Sequence, residues 1–410
     1  MNAKKILLAD DDPVARAMPA TFLRKWGYEV IEVPDGQQAL EVWSREPIGL
    51  LISDWVMPKL SGVELCRTIR EMKSDRYTYL ILCTSKGEKA DLIEGMEAGA
   101  DDFLVKPISQ EEMRVRVRAG ERVLDLERGL ADRNRDLNKI NGHLQKAYEE
   151  IKGNLKAASW MQMNLLPQTS QTTLNIKSEW RFRPTSYVAG DILNVFRLDD
   201  HCVGFYLLDV SGHGVPAAML SVTLSMVLRP DSTHGSPIKL RNSRTGRFDV
   251  VPSADVVGAL NQSFQGRDDQ YFTIVYGLIN CLTGELSLTQ AGHPSPILIQ
   301  RGKELTVLGD GGPPVGLLPH SEYDTIYSTL RTGDRLMLYS DGVIECANRH
   351  GDLFGETRLL EYLSAARAEP LPQMLAGLEL EMERWRGQSE FDDDVSLLAL
   401  EFAEHQQEHK

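Results

Sequence analysis

A heptad repeat between about residues 120 and 166 constrains the fold of this chain more than any other stretch. Apolar residues recur every seven positions, and a second row follows each of them by three. The first row is Val123, Leu130, Leu137, Leu144, Ile151, Ala158 and Leu165, and the second is Leu126, Arg133, Ile140, Ala147, Asn154 and Met161. Rows spaced alternately by three and four predict an amphipathic helix with a seam for a partner helix.

The length of this helix favours a connector between two domains. At 1.5 Å per residue, the stretch from Val123 to Leu165 would span about 63 Å, more than one small domain needs for its own core. Arg133 and Asn154 interrupt the second row, and polar residues at such positions set register and strand number at a cost in stability. We predict a coiled-coil linker over 120–168 that forms a parallel homodimer through 120–166. The alternative is a single helix packed on a neighbouring domain.

The composition bounds the class of protein. A chain of 410 residues has room for two or three domains with their own cores. Its formal net charge of −14 argues against nucleic-acid partners and against docking to an anionic membrane. The five cysteines are dispersed without a Cys-x-x-Cys pair, which is typical of reduced thiols. With no signal peptide and no apolar run of membrane-spanning length, we expect a cytoplasmic protein.

Residues 1–119 alternate short apolar runs with helical patterns. The expected strands are Lys5–Ala9, Glu29–Val33, Leu50–Ser53, Tyr79–Cys83 and Phe103–Val105, and the expected helices include Pro13–Trp26 and Gly36–Ser44. This alternation predicts a doubly wound α/β domain, in which helices cover both faces of a parallel sheet. In such sheets the chemistry gathers at the carboxyl ends of the strands.

Chemically active side chains follow these expected strands. Asp10 and Asp11 come after the first strand, Asp54 after the third, Thr84 after the fourth and Lys106 after the fifth. Acids that converge at one edge repel one another unless a hard cation such as Mg²⁺ joins them. One carboxylate could then attack a phosphoryl group while the cation and a lysine neutralise charge. Any one of these aspartates alone could instead be a helix N-cap.

The segment resembles response-regulator receiver domains through its motifs ILLADDDP, LLISDWVMPKLSG, LILCTS and FLVKP. The resemblance implies that a sensor histidine kinase is the partner that phosphorylates Asp54. It also implies roles for individual residues. Asp10, Asp11, Asp54 and the carbonyl of Val56 would hold Mg²⁺, Thr84 and Lys106 would contact the phosphoryl group, Phe103 would be the switch aromatic, and Pro107 would follow a cis peptide bond.

Beyond Pro167 the pattern becomes rich in strands and glycine turns. Expected strands are His201–Val210, Phe272–Asn280, Ser287–Gln290, Ile297–Gln300, Arg335–Ser340 and Val395–Phe402, with helices at Ala217–Leu228, Ser253–Phe264 and Glu369–Arg384. Strands and helices that do not strictly alternate predict an α+β domain over 169–404, a β-sandwich flanked by helices. Residues 405–410 read as a polar tail.

Acids again follow expected strands in this segment. Asp191, Asp209, Asp341 and Asp393 each lie at the end of an apolar run or beside a glycine. Four carboxylates at one end of a sandwich could hold two divalent cations ~3.5–4 Å apart, which activate water for attack on a phosphoryl group. All-oxygen ligation favours Mg²⁺ or Mn²⁺. Read singly, an Asp-Gly pair is more often a turn.

The order of the motifs resembles the SpoIIE/RsbU-like branch of PPM-type serine/threonine phosphatases. The matching stretches are VAGDILN, LLDVSGHGVPAAM, AGHPSPILI, PPVGLLP, LMLYSDGVIE, LFGETRL and DDDVSLLAL. The resemblance implies two Mn²⁺ or Mg²⁺ ions. Asp209 would bridge them and the carbonyl of Val210 would add a ligand. Asp191 and Asp341 would complete the first metal shell, and Asp393 the second.

Three features lie outside that pattern. Asn194 and Ala189 replace an aspartate and a glycine that the family pattern usually has, which puts an auxiliary metal role in doubt. Arg183 and His213 are candidates for binding the substrate phosphate. Residues 230–252 are polar and basic, which predicts a mobile loop near the site that steers an acidic or phosphorylated partner or is simply solvated.

These observations predict a response regulator whose phosphorylation at Asp54 controls a metal-dependent protein phosphatase. By the family resemblance, the substrate would be a phosphorylated anti-sigma-factor antagonist of the STAS type. The alternative is a non-catalytic adaptor that binds a sigma factor or an anti-sigma-factor antagonist under phosphorylation control. The four retained acids favour the enzyme. A DNA-binding regulator is disfavoured because no helix-turn-helix pattern follows the receiver segment.

Overall fold

A computed structural model describes residues 5–72, 74, 76–85, 89–167, 170–230, 236–243, 246–265 and 270–404, with only the backbone at 89–91. The chain divides into two compact units, Met1–Ala147 and Tyr148–Lys410. The predicted polar tail, 405–410, lies outside the described residues. No helix in the described ranges is both long and apolar enough to cross a membrane.

The first unit is a doubly wound α/β domain, as predicted. Its strands are β1 Lys5–Ala9, β2 Glu29–Val33, β3 Leu50–Asp54, β4 Tyr79–Thr84 and β5 Asp102–Val105. Its helices are α1 Pro13–Lys25, α2 Gly36–Arg45, α3 Gly62–Glu71, α4 Lys89–Glu97 and the first part of α5 Gln110–Met163. All strands run parallel in the order β2-β1-β3-β4-β5.

Alternation of side chains along the strands gives this sheet two apolar faces. Leu7 and Leu51 belong to one buried cluster, whereas Ile6 and Ile52 belong to the other. Helix α3 begins at a capping box, in which the side chains and backbones of Ser61 and Glu64 exchange hydrogen bonds. The sheet and the capped helices fix the ends of β1, β3, β4 and β5, where the polar residues lie.

Helix α5 confirms the predicted long helix but begins ten residues earlier, at Gln110, so the expected boundary at 119/120 falls inside it. Residues near its start and just beyond its end at Met163 pack on the cores of the two units. Val123 is half-buried against the receiver core because it neighbours the buried Leu124. Leu165 packs on the core of the second unit. Between these ends, the seam positions Leu126, Leu130, Leu137, Ile140, Leu144, Ile151 and Met161 are all more than half exposed.

The described part of the second unit contains two large antiparallel sheets and a separate two-stranded one. Its strands are β6 Gln171–Thr173, β7 Ile176–Arg183, β8 Ile192–Arg197, β9 Cys202–Val210, β10 Lys239–Arg241, β11 Phe248–Val250, β12 Phe272–Asn280, β13 Glu285–Ala291, β14 Ile297–Ile299, β15 Thr306–Val307, β16 Ile326–Thr329, β17 Arg335–Tyr339 and β18 Val395–Phe402. Its further helices are α6 Val215–Val227, α7 Ser253–Phe264, α8 Asp341–Ile344, α9 Gly355–Ala366 and α10 Leu371–Arg386. The sheet orders are β16-β13-β12-β9-β8, β15-β14-β17-β18-β7-β6 and β10-β11.

The layers of this unit confirm a sandwich flanked by helices. Helices α6 and α7 pack on the five-stranded sheet, and α8 and α10 pack on the six-stranded sheet. One buried cluster fills the space between the sheets, where Leu207 and Phe205 of one sheet meet Leu338 and Leu398 of the other. A second cluster lies between the six-stranded sheet and helices α8–α10.

The prediction that residues 230–252 lie near the site is wrong where the structure describes this stretch, and the predicted mobility stays a prediction. Strands β10 and β11 pair there as a short hairpin. The charge of Lys239 acts on the Cys202 thiol, whose pKa burial raises to about 12. Cys202 begins strand β9, whereas Asp209 lies at its other end. The hairpin therefore lies away from the acids. Residues 231–235 and 244–245 lie outside the described residues.

Candidate functional site

Three acids and a lysine meet at the carboxyl edge of the parallel sheet. Asp10 and Asp11 follow β1, and Asp54 is the last residue of β3. One oxygen from each of these carboxylates lies within 4.8 Å of the others. The Nζ of Lys106, directly after β5, lies 2.8 Å from Oδ2 of Asp10 and 2.8 Å from Oδ1 of Asp54. A hard divalent cation fits this all-oxygen set.

The charges at this edge are strongly coupled. Burial raises the pKa of Asp54, the Lys106 ammonium opposes that rise, and the Asp10 charge adds to it. Burial also lowers the pKa of Lys106, but hydrogen bonds to Asp10 and Asp54 outweigh burial and leave the pKa above its ordinary value. Lys106 is therefore firmly cationic and neutralises part of the acidic charge, which a cation would complete.

The other predicted receiver residues surround this cluster. Thr84 is buried at the end of β4, and its carbonyl accepts from the backbone of Lys106 over 2.8 Å. The Lys106-Pro107 bond is cis, as expected. Val56 is exposed two residues after Asp54. The ring of Phe103 lies 5.7 Å from the guanidinium carbon of Arg116, on α5.

Four further acids lie at one end of the sandwich, two from each sheet. Asp191 directly precedes β8, and Asp209 is the penultimate residue of β9, beside Val210. Asp341 begins α8 after β17, and Asp393 lies two residues before β18. The charges of Asp341 and Asp393 both act on Asp209, which places the acids of one sheet beside those of the other.

Two glycines permit this close approach. A Cβ added at Gly190 would lie 2.8 Å from the Val210 carbonyl oxygen and 3.3 Å from Oδ1 of Asp209. One added at Gly342 would lie 2.2 Å from the Asp394 carbonyl oxygen. Real Cβ atoms do not approach backbone oxygens this closely, so packing requires a glycine at both positions.

The acids lack the positive charge that their burial demands. Burial, followed by the Asp209 charge, raises the pKa of Asp191 well above its ordinary value. Burial and the charges of Asp341 and Asp393 raise the pKa of Asp209 to about 8. Burial and Asp393 raise the pKa of Asp341 to about 6. Neither oxygen of Asp191 accepts a hydrogen bond at normal distance in the part of the chain that the structure describes, although the hydroxyls of Ser396 and Ser340 lie near enough to oppose the rise in its pKa. This donor set fits divalent cations.

These four acids are more spread out than those of the receiver. Within the described ranges, the receiver trio forms a set of three ligand oxygens that all lie within 4.8 Å of one another, and the sandwich acids form no such set. Two cations ~3.5–4 Å apart share their ligands over a larger volume, so a compact trio is not required. The roles assigned to Asp191, Asp209, Asp341, Asp393 and the Val210 carbonyl stay predictions.

Sequence reasoning missed two residues that build this site. Asp394 accepts hydrogen bonds from the backbone N–H groups of Thr185 and Gly190, at 2.7 and 2.8 Å. Gln162, on the last turn of α5, donates to the Ala189 carbonyl at 2.8 Å and accepts from the Ala189 N–H at 3.0 Å. The run of three aspartates was a signal for Asp394, but nothing local marked Gln162 among the polar residues of its helix.

The remaining candidates lie less centrally. Asn194 accepts from the Val195 N–H at 2.8 Å and lies opposite Tyr206 in the β8–β9 register. Arg183 forms an ion pair with Glu379, so binding a phosphate would require it to leave that partner. His213 is exposed in the loop before α6, open to a substrate.

The fold and the two acidic clusters define a receiver domain joined to a protein phosphatase domain of the PP2C type. Residues 199–403, half of the chain, match the family model described as "Stage II sporulation protein E (SpoIIE)", and residues 6–118 match "Response regulator receiver domain". The chain belongs to the SpoIIE family and carries a receiver domain. Both kinds of domain generally use divalent metals.

Individual relatives resemble parts of the chain. It is 41% identical over 119 residues to "Probable transcriptional regulator ycf27" of Cyanophora paradoxa, which is 29% of this chain and 48% of that protein. It is 38% identical over 118 residues to "Transcriptional regulatory protein ResD" of Bacillus subtilis, again 29% and 48%. The chain thus spans about half the length of these curated relatives. The solved SiaA-PP2C domain of Pseudomonas aeruginosa shares its fold, with a TM-score of 0.53 and 20% identity over 62% of this chain and 98% of that domain.

Proposed function

We propose that phosphorylation of Asp54 controls a metal-dependent phosphatase that removes phosphate from phosphoserine or phosphothreonine in a partner protein. The observation that carries the proposal is the burial of Asp191, whose two oxygens accept no hydrogen bond at normal distance within the described residues although Asp209 lies beside it. An ionised carboxylate buried in this way is costly unless a counter-charge is bound, and without one the group stays protonated. Divalent cations supply that charge.

The residues of the sandwich would divide the work between them. Asp209, in range of acids from both sheets, would bridge two Mn²⁺ or Mg²⁺ ions, with Asp191 and Asp341 on one ion and Asp393 on the other. Such a pair of cations activates a water molecule and orients a phosphoryl group for in-line attack. His213, exposed beside the acids in sequence, is free to meet the substrate at the mouth of the site.

The receiver edge would accept its phosphoryl group from a histidine kinase. Asp10 and Asp11 would hold one Mg²⁺ beside Asp54, and the carbonyl of Val56 would add a ligand. Lys106 already lies 2.8 Å from Asp54, so its ammonium is in place to stabilise negative charge on the incoming group.

Gln162 provides the route by which the connector would control the phosphatase. Its side chain holds both backbone groups of Ala189, two residues before Asp191, and its Nε2 lies 3.2 Å from the Ser221 hydroxyl of α6. A shift or rotation of α5 would therefore move the loop that carries Asp191. We propose that phosphorylation changes how α5 pairs with a second copy through the exposed seam, and that this change sets the position of Gln162.

The proposed substrate is a phosphorylated anti-sigma-factor antagonist of the STAS type, in a partner-switching pathway. This part of the proposal rests on membership of the SpoIIE family. A phosphoprotein substrate fits a site of this kind, in which Asp393 and His213 are exposed and cations would carry the recognition of phosphate.

The test is turnover of an aryl phosphate with Mn²⁺, comparing the wild type with Asp209→Asn. We expect measurable hydrolysis in the wild type and a loss of at least a hundredfold in the variant, because the bridging charge is removed. Asp249→Asn, in the hairpin remote from the acids, is the matched control and should match the wild type. A wild type that stays inert with either metal, before and after phosphorylation of Asp54, would favour the non-catalytic adaptor.

A further inference from the structure

His293 is a buried histidine that the predicted chemistry does not use. It is 2% exposed, in the loop between β13 and β14. Its Nδ1 lies 2.7 Å from Oγ1 of Thr273, and its backbone carbonyl accepts from the side chain of Gln290. Its Nε2 is buried and has no hydrogen-bond partner at normal distance within the described ranges. Burial lowers the pKa of His293 to about 3, so the ring is neutral near pH 7.

Thr273 connects this ring to the proposed bridging ligand. Thr273 and Asp209 lie directly opposite each other in the antiparallel register of β12 and β9. Side chains of such a pair point to the same face of the sheet, with their Cβ atoms about 4.5–5.5 Å apart. The Thr273 hydroxyl is therefore a potential hydrogen-bond donor beside the Asp209 carboxylate.

The second sheet offers the ring an acceptor for one N–H. The backbone of Tyr339, at the end of β17 and two residues before Asp341, lies close enough to favour protonation of the His293 ring. A neutral imidazole has one N–H and one acceptor nitrogen. With the N–H on Nε2, towards the Tyr339 carbonyl, Nδ1 becomes the acceptor and the Thr273 hydroxyl donates to it.

We propose that His293 is a positioning residue that captures the Thr273 hydroxyl hydrogen and thereby keeps the Asp209 oxygens available to divalent cations. This inference rests on the proposed function of Asp209. Without an acceptor at Nδ1, the Thr273 hydroxyl would be free to donate to Asp209, its direct partner across the β9–β12 pair. A hydroxyl that donates to this carboxylate would occupy a lone pair that a cation needs. Residues that orient metal ligands typically change metal affinity by 10- to 100-fold when they are substituted.

Two amide substitutions separate the two ring nitrogens. The side chain of Asn can place its oxygen near the position of Nδ1, whereas the amide of Gln reaches the position of Nε2. We expect His293→Asn to retain the wild-type Mn²⁺ dissociation constant within about threefold, and His293→Gln to weaken it by about tenfold. Adding Thr273→Val to His293→Gln should restore the affinity, because the misdirected donor is removed. If His293 had only a structural role, adding Thr273→Val to His293→Gln would weaken Mn²⁺ binding further instead of restoring it.

The measurement is calorimetric titration with Mn²⁺ of the full chain in an Asp11→Asn background, which removes a proposed ligand of the receiver site. Turnover of an aryl phosphate as a function of Mn²⁺ gives a second readout. Thr289→Val is the matched control, since Thr289 is a buried threonine of the same sheet whose hydroxyl donates to Ser253 of α7 and not to a residue near the acids. We expect it to lower the melting temperature and leave Mn²⁺ affinity unchanged.

The outcomes separate this inference from the proposed function. A wild type that neither binds Mn²⁺ nor hydrolyses the substrate overturns both. A wild type that does both, with unchanged affinity in His293→Gln or no recovery on adding Thr273→Val, overturns only the role of His293. A His293→Gln protein that fails to fold beside a fully competent His293→Asn protein assigns Nδ1 to folding and also overturns it.

Discussion

The backbone N–H of Gly190 donates to Oδ2 of Asp394 over 2.8 Å, and this bond joins the two sheets of the sandwich at the acid cluster. Asp394 also accepts from the backbone of Thr185, so one carboxylate holds both ends of the segment before Asp191. Because Asp393 is its neighbour in sequence, the same residue sets the spacing between acids contributed by opposite sheets.

Replacing Asp394 by Asn should separate this positioning role from charge at the metals. The amide cannot accept with both of its polar atoms, so one backbone N–H would face another donor, at a cost of about 1–3 kcal/mol. We expect the Mn²⁺ affinity to fall by about tenfold, measured by calorimetry. Asp200→Asn, an exposed acid at the β8–β9 turn, should behave like the wild type. If Asp394→Asn bound Mn²⁺ as tightly as the wild type, Asp394 would have no role in positioning the metal ligands.

Gln162→Leu should disconnect the connector from the phosphatase. Leucine keeps the bulk of the side chain but leaves the Ala189 N–H without its side-chain partner and the Ala189 carbonyl with only the Ser221 hydroxyl, at 3.4 Å. We expect basal aryl phosphate turnover to fall at least tenfold, and the remaining turnover to become insensitive to phosphorylation of Asp54. Gln145→Leu tests the same substitution at an exposed position of the same helix and should keep both properties. Regulation that survives in Gln162→Leu would place the coupling elsewhere.

The stability of the metal-free protein should depend on pH with a defined sign. The folded-state pKa of Asp209 is about 8 and that of Asp341 about 6, both above the ordinary value of 3.8. The folded state thus retains protons that the unfolded chain has released, so these carboxyls cost stability as pH rises towards 8. His293 has the opposite effect on stability, but only below pH 6.5, its ordinary pKa. There the unfolded chain binds a proton that the buried ring does not bind, so stability rises with pH.

We therefore expect the melting temperature of the metal-free protein to fall between pH 6.5 and pH 8, followed by calorimetry in the presence of a chelator. Saturating Mn²⁺ should abolish or reverse the fall, because cations take the place of the protons. Asp209→Asn should flatten the metal-free curve. A melting temperature that rises over this interval without metal would contradict the assigned burial of the acids.

The seam of α5 should support self-association. Leu137 and Leu144 are both more than half exposed in the single chain, and a helix partner would bury them. We expect a dimer by sedimentation equilibrium, and a monomer when both residues are replaced by Asp. Replacing Asn138 and Gln145, exposed neighbours off the first row, by Asp should preserve the dimer at the same change in charge. A wild type that is monomeric with and without phosphorylation of Asp54 would contradict the coiled-coil prediction.

The sequence predicted the strands of the receiver almost residue by residue, because buried parallel strands are short, apolar and bounded by polar residues. It also predicted β9, β12 and β18, the long apolar strands of the sandwich. It did not identify β7, whose sequence IKSEWRFR mixes charges with apolar residues. There the charged side chains are accommodated by tertiary partners, as in the pair of Arg183 with Glu379 of α10, which a single sequence does not reveal.

The same limit applies to the site. The acids were predictable because carboxylates at strand ends carry a chemical meaning of their own. Gln162 and His293 were not, because their roles depend on contacts with residues 27 and 20 positions away in the chain. The prediction that the stretch around β10 and β11 lies near the site was wrong for a related reason. Polar composition does not reveal which end of β9 lies beside this stretch.

The tight clearances at Gly190 and Gly342 have a consequence for how a domain of this kind can diverge. A descendant that gave up hydrolysis would be free to replace Asp191 or Asp341, since a neutral side chain relieves the repulsion among buried acids. It could not replace the glycines, because the backbone oxygens of Val210 and Asp394 occupy the space that any other residue needs. Pseudoenzymes with this fold should therefore retain both glycines but not the aspartates beside them. The glycines would then indicate the inherited fold, and the aspartates the inherited activity.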